Sequence, residues 1–165
     1  MDRMPLLALI LQSIPESIII LALGLTLMGV ELKWRRIVPA AVLSSLCSYF
    51  VRELPIPYGI HTLIGIIVIA ALIVIFFRTS VPVALSAAMI GIVVLATVEM
   101  LLWPVLLALT GKTLAEVWKS EILRILLAIP ELVVLTLITL LCVKKKIAFR
   151  RPRYSSVDRS KNQED

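Results

Sequence analysis

The chain has one histidine, two cysteines and six glycines in 165 residues, and aromatic side chains make up 6% of it. Each scarcity excludes something. The cysteines, Cys47 and Cys142, lie in separate apolar runs, whereas zinc sites want clustered ligands and disulfides want an oxidising, water-accessible setting. Both read as small buried hydrophobes. No HExxH, GxSxG, P-loop or dinucleotide fingerprint occurs. The expectation is a protein that is not an enzyme and carries neither metal nor cofactor. Cys47 and His61 make a poor nucleophile–base pair, because a turn separates them and Cys47 lies about two helical turns below the end of its segment.

Long polar stretches are also missing, which leaves no room for a soluble catalytic domain. Hydrophobic residues make up 60% of the chain and the mean hydropathy is +1.02, so the expected solvent is lipid. A spanning helix needs about 20 apolar residues. Five runs approach this, at residues 4–30, 37–54, 60–77, 83–109 and 121–143. The expected fold is all-α: a polytopic membrane protein whose residues 1–143 form a compact bundle of five transmembrane helices, with 144–165 as a basic, largely disordered tail. The first run is too long for a signal-peptide core and reads as a mature helix.

The net charge of +6 is unevenly placed. Lys33, Arg35 and Arg36 follow the first run, Arg78 the third, and Lys144, Lys145, Lys146, Arg150 and Arg151 the fifth. The alternate loops balance Arg52 with Glu53, and Lys112 and Lys119 with Glu116 and Glu121. By the positive-inside rule the amino terminus is outside and the carboxyl terminus cytoplasmic, in a multi-pass protein of the cell membrane. These last five named cations read as contacts to anionic lipid, not as a nucleic-acid surface. Trp34 and Tyr58 suit headgroup level, Pro82 suits a first helical turn, and "PIPYG" reads as a rigid corner where Gly59 permits positive φ.

Three acids lie inside apolar runs: Glu16, Glu99 and Glu131. Counted from the basic flanks at 1.5 Å per residue they stand about 25, 30 and 20 Å deep, all in the outward half. Polar partners share that half. Ser44, Ser48 and Arg52 form a stripe at four-residue spacing, Gln12 is one turn from Glu16, His61 and Gly65 are one turn apart, and Arg124 is two turns before Glu131. Ala87 and Gly91 share a face with Glu99 and permit close helix approach nearer the cytoplasm. Pro15 and Pro130 each precede a glutamate and are expected to kink their helices, freeing the carbonyls of Leu11 and Leu126; Pro104 is placed to act similarly near Glu99. Two readings of the acids stand: a ligand pocket, with Glu16, Glu99, Glu131, Arg52, His61, Arg124, Gln12 and Ser48 as its residues, or static pairing of acids with Arg52 and Arg124.

In "LQSIPESIIILALGLTLMGVELKWRR", "YFVRELPIPYGIHTL" and "ILRILLAIPELVVLTLITLL" the chain resembles the multi-helix membrane sensor regions that precede GHKL-type histidine kinases of Gram-positive bacteria, a family that includes receptors for quorum-sensing peptides. The resemblance implies an outward-facing input site and a cytoplasmic output through the fifth helix. No phosphoacceptor histidine or ATP-binding domain follows that helix here, so such an output would need a protein partner. The expected function is a ligand- or partner-binding module of sensor or accessory type. The alternative is a small transporter or carrier subunit for a proton, cation or amine-containing solute. Expected partners are the lipid bilayer and a kinase or transporter subunit, with a homo-oligomer also open.

Overall fold

A computed structural model describes residues 9–53, 59–113, 116–117, 120–145 and 147–148, excepting the side chains of Leu9, Arg52, Glu53, Glu121 and Arg124. A π-helical segment, Leu9–Ser13, leads into α1, Ile14–Leu27. Then come α2, Trp34–Glu53, α3, Ile60–Phe77, α4, Val81–Thr110, and α5, Glu121–Lys144. Among the described residues no strand occurs.

The prolines explain part of this punctuation, and they do not all act alike. Pro15 lies in the first turn of α1 and Pro82 in that of α4, where a missing N–H costs nothing. Ahead of Pro15 the backbone takes the wider π winding, a local form of the expected distortion. By contrast α5 continues through Pro130, and α4 through Pro104, as single helices. Pro130, having no N–H, supplies no donor to the Leu126 carbonyl, and the flanking hydrogen bonds carry the helix past that one lost donor. Gly59 has φ 99° at the start of α3, as its place in the turn requires; residues 55–58 of that corner lie outside the described residues.

α1 is the central element, packing against α2, α4 and α5, while α3 closes the ring between α2 and α4. The tightest crossing is between α1 and α4. A Cβ on Gly24 would collide with the Ala87 carbonyl oxygen, and one on Gly91 would stand 2.7 Å from Ile20 Cγ2 and 2.9 Å from its carbonyl oxygen. Two glycines thus let two backbones touch, the expected use of small residues at Ala87 and Gly91. Beside this crossing lies the core, with Leu21, Leu25, Ile37, Ile73 and Ala84 almost fully buried. It fills the half of the bundle nearest Lys33, Arg36, Arg78 and Lys144.

Four segments are long and apolar enough to cross a membrane: Ile10–Leu27, Ile60–Phe77, Val81–Thr110 and Ile125–Lys144. The expected fifth, α2, does not meet that standard, since Arg35, Arg36, Arg52 and Glu53 crowd its ends and Ser44, Ser45 and Ser48 its middle. Its burial nevertheless runs opposite to that of a helix on a water-soluble protein. Ser44 and Ser45 are buried at 2% and 1% exposure, whereas Phe50 is 66% exposed and Leu43 and Leu46 also face outward. In α5 likewise Glu131 is buried while Leu126, Ile129, Val133 and Leu137 point out. Polar groups inside and aliphatic ones outside are what a lipid environment selects.

Candidate functional site

Antiparallel neighbours carry residues far apart in sequence to one level of the bundle. At 1.5 Å per residue, Glu16 lies about 17 Å from the Leu27 end of α1, Ser48 about 21 Å from Trp34, and Glu99 about 27 Å from Val81. His61 belongs to the first turn of α3, at the same end of the bundle. These four side chains line a single cavity of about 250 Å³ enclosed by α1, α2, α3 and α4. Gly65, one turn into α3, lines it as well.

The remaining expected site residues stand elsewhere. Glu131 is buried but is not part of the lining; α5 packs on α1 and α4, and the carboxyl lies within electrostatic reach of Glu99 and Glu16. Gln12 is in the π-helical segment, also away from the lining, and its Oε1 is buried without a hydrogen-bond partner. The side chains of Arg52 and Arg124 lie outside the described residues, as do Lys146, Arg150 and Arg151. Lys144 and Lys145 are exposed at the end of α5.

The polar lining residues outside the expected set include Ser17, Cys47 and Thr62. Each adjoins a member of that set, beside Glu16, Ser48 and His61. Cys47 corrects the expectation of a small buried hydrophobe: it is exposed, while Cys142 is partly buried. It also shares the cavity with His61 despite the turn between them, because α2 and α3 pack as an antiparallel pair. The exposure of Cys47 and Thr62 shows that the cavity opens to the surface.

The wall between α1 and α2 is held by Ser45. Its hydroxyl lies 2.9 Å from the Ser13 carbonyl oxygen and 3.0 Å from Ser17 Oγ. It donates to the carbonyl at the π-to-α junction, a backbone group that would otherwise be costly to bury. Ser44, the adjacent position of α2, is 2% exposed and also lines the cavity.

Chemically the lining is mixed: Glu16, Glu99, His61, Ser44 and Ser48 supply polar groups, and Ile20, Val68, Ile69, Ile92 and Leu95 aliphatic surface. Carboxylates accept, hydroxyls donate and accept, and the aliphatic side chains offer only packing. No protein-family model matches the chain, and comparison with curated proteins and with solved structures finds none that is similar.

Proposed function

We propose that the chain is an integral membrane ligand-binding module of sensor or accessory type, with all five helices spanning and the amino terminus outside. The observation that carries this reading is the cavity itself, which gathers Glu16, Ser48, His61 and Glu99 from four helices at one level. Intramembrane ionisable groups facing a bundle interior mark functional sites by default.

Two arguments support the topology. α2 buries its serines and exposes Leu43, Leu46 and Phe50, a pattern suited to spanning within a bundle despite its charged ends. The end opposite the cavity carries Lys33, Arg35, Arg36, Arg78, Lys144 and Lys145, so the positive-inside rule puts that end in the cytoplasm and the cavity in the outer half. In this mechanism, occupancy of the cavity favours one arrangement of α1 and α4 against α5, and α5 hands the change to its basic flank and to a cytoplasmic partner of kinase type. That partner is the one implied by the resemblance to GHKL-kinase sensor regions.

A carrier would need a route past the cavity to the basic end. The packed layer of Leu21, Leu25, Ile37 and Ile73 fills that half, which favours the sensor reading. The test uses a membrane-impermeant maleimide on intact cells carrying single-cysteine variants. Cys47 is expected to label from outside in a Cys142→Ser background, and Cys142 not to label from outside in a Cys47→Ser background. Labelling of Cys47 only after the membrane is breached would overturn the outward cavity, and ligand uptake into proteoliposomes would favour the carrier.

A further inference from the structure

We infer that the cavity takes a single-chain amphiphile from the outer leaflet, its hydroxyl-bearing head outward and its hydrocarbon chain inward, through a slot between α2 and α3; this rests on the ligand-binding reading above and names its ligand class. The lining is graded along the helix axes. At 1.5 Å per residue Ile20 lies about 6 Å inward of Glu16, Ile69 about 12 Å inward of His61 and Ile92 about 10 Å inward of Glu99, and all six line the cavity. Polar groups thus stand at the outer end and aliphatic ones at the floor. Ser44 and Val51 depart from this order, but Ile20 and Ile69, each 6% exposed, join the floor to the packed core.

An amphiphile in the outer leaflet has the same gradient, head at the surface and chain toward the midplane. It can enter without turning over. Because its chain leaves one apolar phase for another, the chain gains only packing, and the head decides occupancy. Carboxyl, imidazole and hydroxyl groups at the outer end include donors and acceptors, and a hydroxyl head answers both.

The side wall supplies the entry. Cys47 lies on the face of α2 that turns Leu43, Leu46 and Phe50 outward, at three- and four-residue spacing, yet it also lines the cavity. On the neighbouring α3, Gly65 lines the cavity too, and a Cβ there would meet nothing within 4 Å. Counted from Glu53 and from Ile60, the two residues lie about 9 and 8 Å from the outer ends of their helices, at one level. Two small residues leave the wall thin there, flanked by Leu46 and Phe50 on α2 and by Leu63 and Ile67 on α3, all exposed. A volume of about 250 Å³ falls below the about 300–1,000 Å³ of pockets that enclose a whole drug-sized ligand, which suits a chain that stays partly in the bilayer.

The experiment uses liposomes holding the full-length protein and a monoacylglycerol with a photoreactive diazirine at the end of a decanoyl chain, with insertion sites mapped by mass spectrometry. Insertion at Ile20, Ile69 and Ile92 is expected to exceed that at the outward-facing Val133 and Leu137 of α5 by about fivefold or more. Unlabelled monoacylglycerol should compete, and neither glycerol nor decane should. Gly65→Leu, which fills the slot, should lower floor insertion to the level of α5, and Gly65→Ala, the milder change that keeps the fold, should lower it less. Floor insertion no greater than that on α5 would overturn the amphiphile, equal competition by decane would overturn recognition of the head, and floor insertion unchanged in Gly65→Leu would overturn the slot. Competition by glycerol would also overturn the amphiphile and leave a cavity for water-soluble ligands standing. If floor insertion is absent while Cys47 still labels from outside, only the lipid ligand fails; if Cys47 does not label either, the ligand-binding reading falls with it.

Discussion

Gly24 of α1 lies so close to Ala87 of α4 that a single added carbon would overlap the Ala87 carbonyl oxygen. The obstacle is backbone, which cannot rotate aside as a side-chain tip would. Gly24→Ala is therefore expected to destabilise the bundle by about 1–3 kcal/mol or more, the range for overpacking a filled interior. Gly65→Ala, where an added Cβ meets nothing within 4 Å, should leave stability unchanged or raise it slightly. Thermal unfolding of the purified protein in one detergent separates the two; equal effects would mean the α1–α4 contact is not the one described.

Ser45 provides a second check on the same wall. Ser45→Ala removes the hydroxyl that meets the Ser13 carbonyl and Ser17 Oγ and is expected to cost about 1 kcal/mol. Amide exchange should quicken in residues 10–17 before it does in α3. Uniform loosening, or none, would show that the π-to-α junction does not depend on this bond.

Glu131 is 5% exposed and within electrostatic reach of two other carboxyls. Glu131→Gln preserves size and hydrogen-bonding atoms while removing an acid from that group. The expected result is a midpoint equal to or above the wild type, whereas Glu131→Ala leaves a void and lowers it by the amount expected of a truncated buried side chain, about 2 kcal/mol. A large loss in Glu131→Gln would reveal an essential pairing of the carboxylate.

In the connection between α4 and α5, the Thr113 N–H donates to Glu116 Oε2 at 2.7 Å and its hydroxyl lies 3.0 Å from the same oxygen. Glu116 N lies 3.4 Å from Thr113 Oγ1, completing a capping box. The backbone hydrogen bond first, the threonine hydroxyl second and the Lys112 charge last hold the Glu116 carboxyl below its ordinary value, against a small opposing effect of desolvation. A group whose folded value is depressed contributes stability above its unfolded value and loses it as pH falls through the folded one. Protection of the Glu116 amide should thus be flat near neutrality and decline only below the ordinary carboxylate range. Thr113→Ala should move that decline to higher pH. A proton-titration series followed by NMR at Glu116 checks both.

Much of the architecture was legible because lipid imposes a simple rule. Runs of apolar residues marked α3 at 60–77 to the residue, and α4 and α5 to within two, since a helix is the only local way to satisfy a backbone away from water. The one-turn spacing joined Ser44 and Ser48, which both line the cavity; depth counting grouped Glu16, Glu99 and Glu131, of which only the first two line it. The same proline motif took two local forms. Pro15 and Pro130 occupy identical "IPE" triplets, yet one follows a π segment and begins an α-helix while the other lies inside a continuous helix.

By itself the sequence determined that the protein is helical and apolar, and where α3, α4 and α5 begin and end to within two residues, because hydropathy is a property of each segment alone. It did not decide that Glu131 would stay outside the cavity, that Cys47 would enter it, or that Ser45 would close the wall against Ser13. Those depend on the rotation of each helix about its own axis, which is set where two backbones come into contact, as at Gly24 and Ala87. Depth is read along one helix, but azimuth is fixed only by a neighbour.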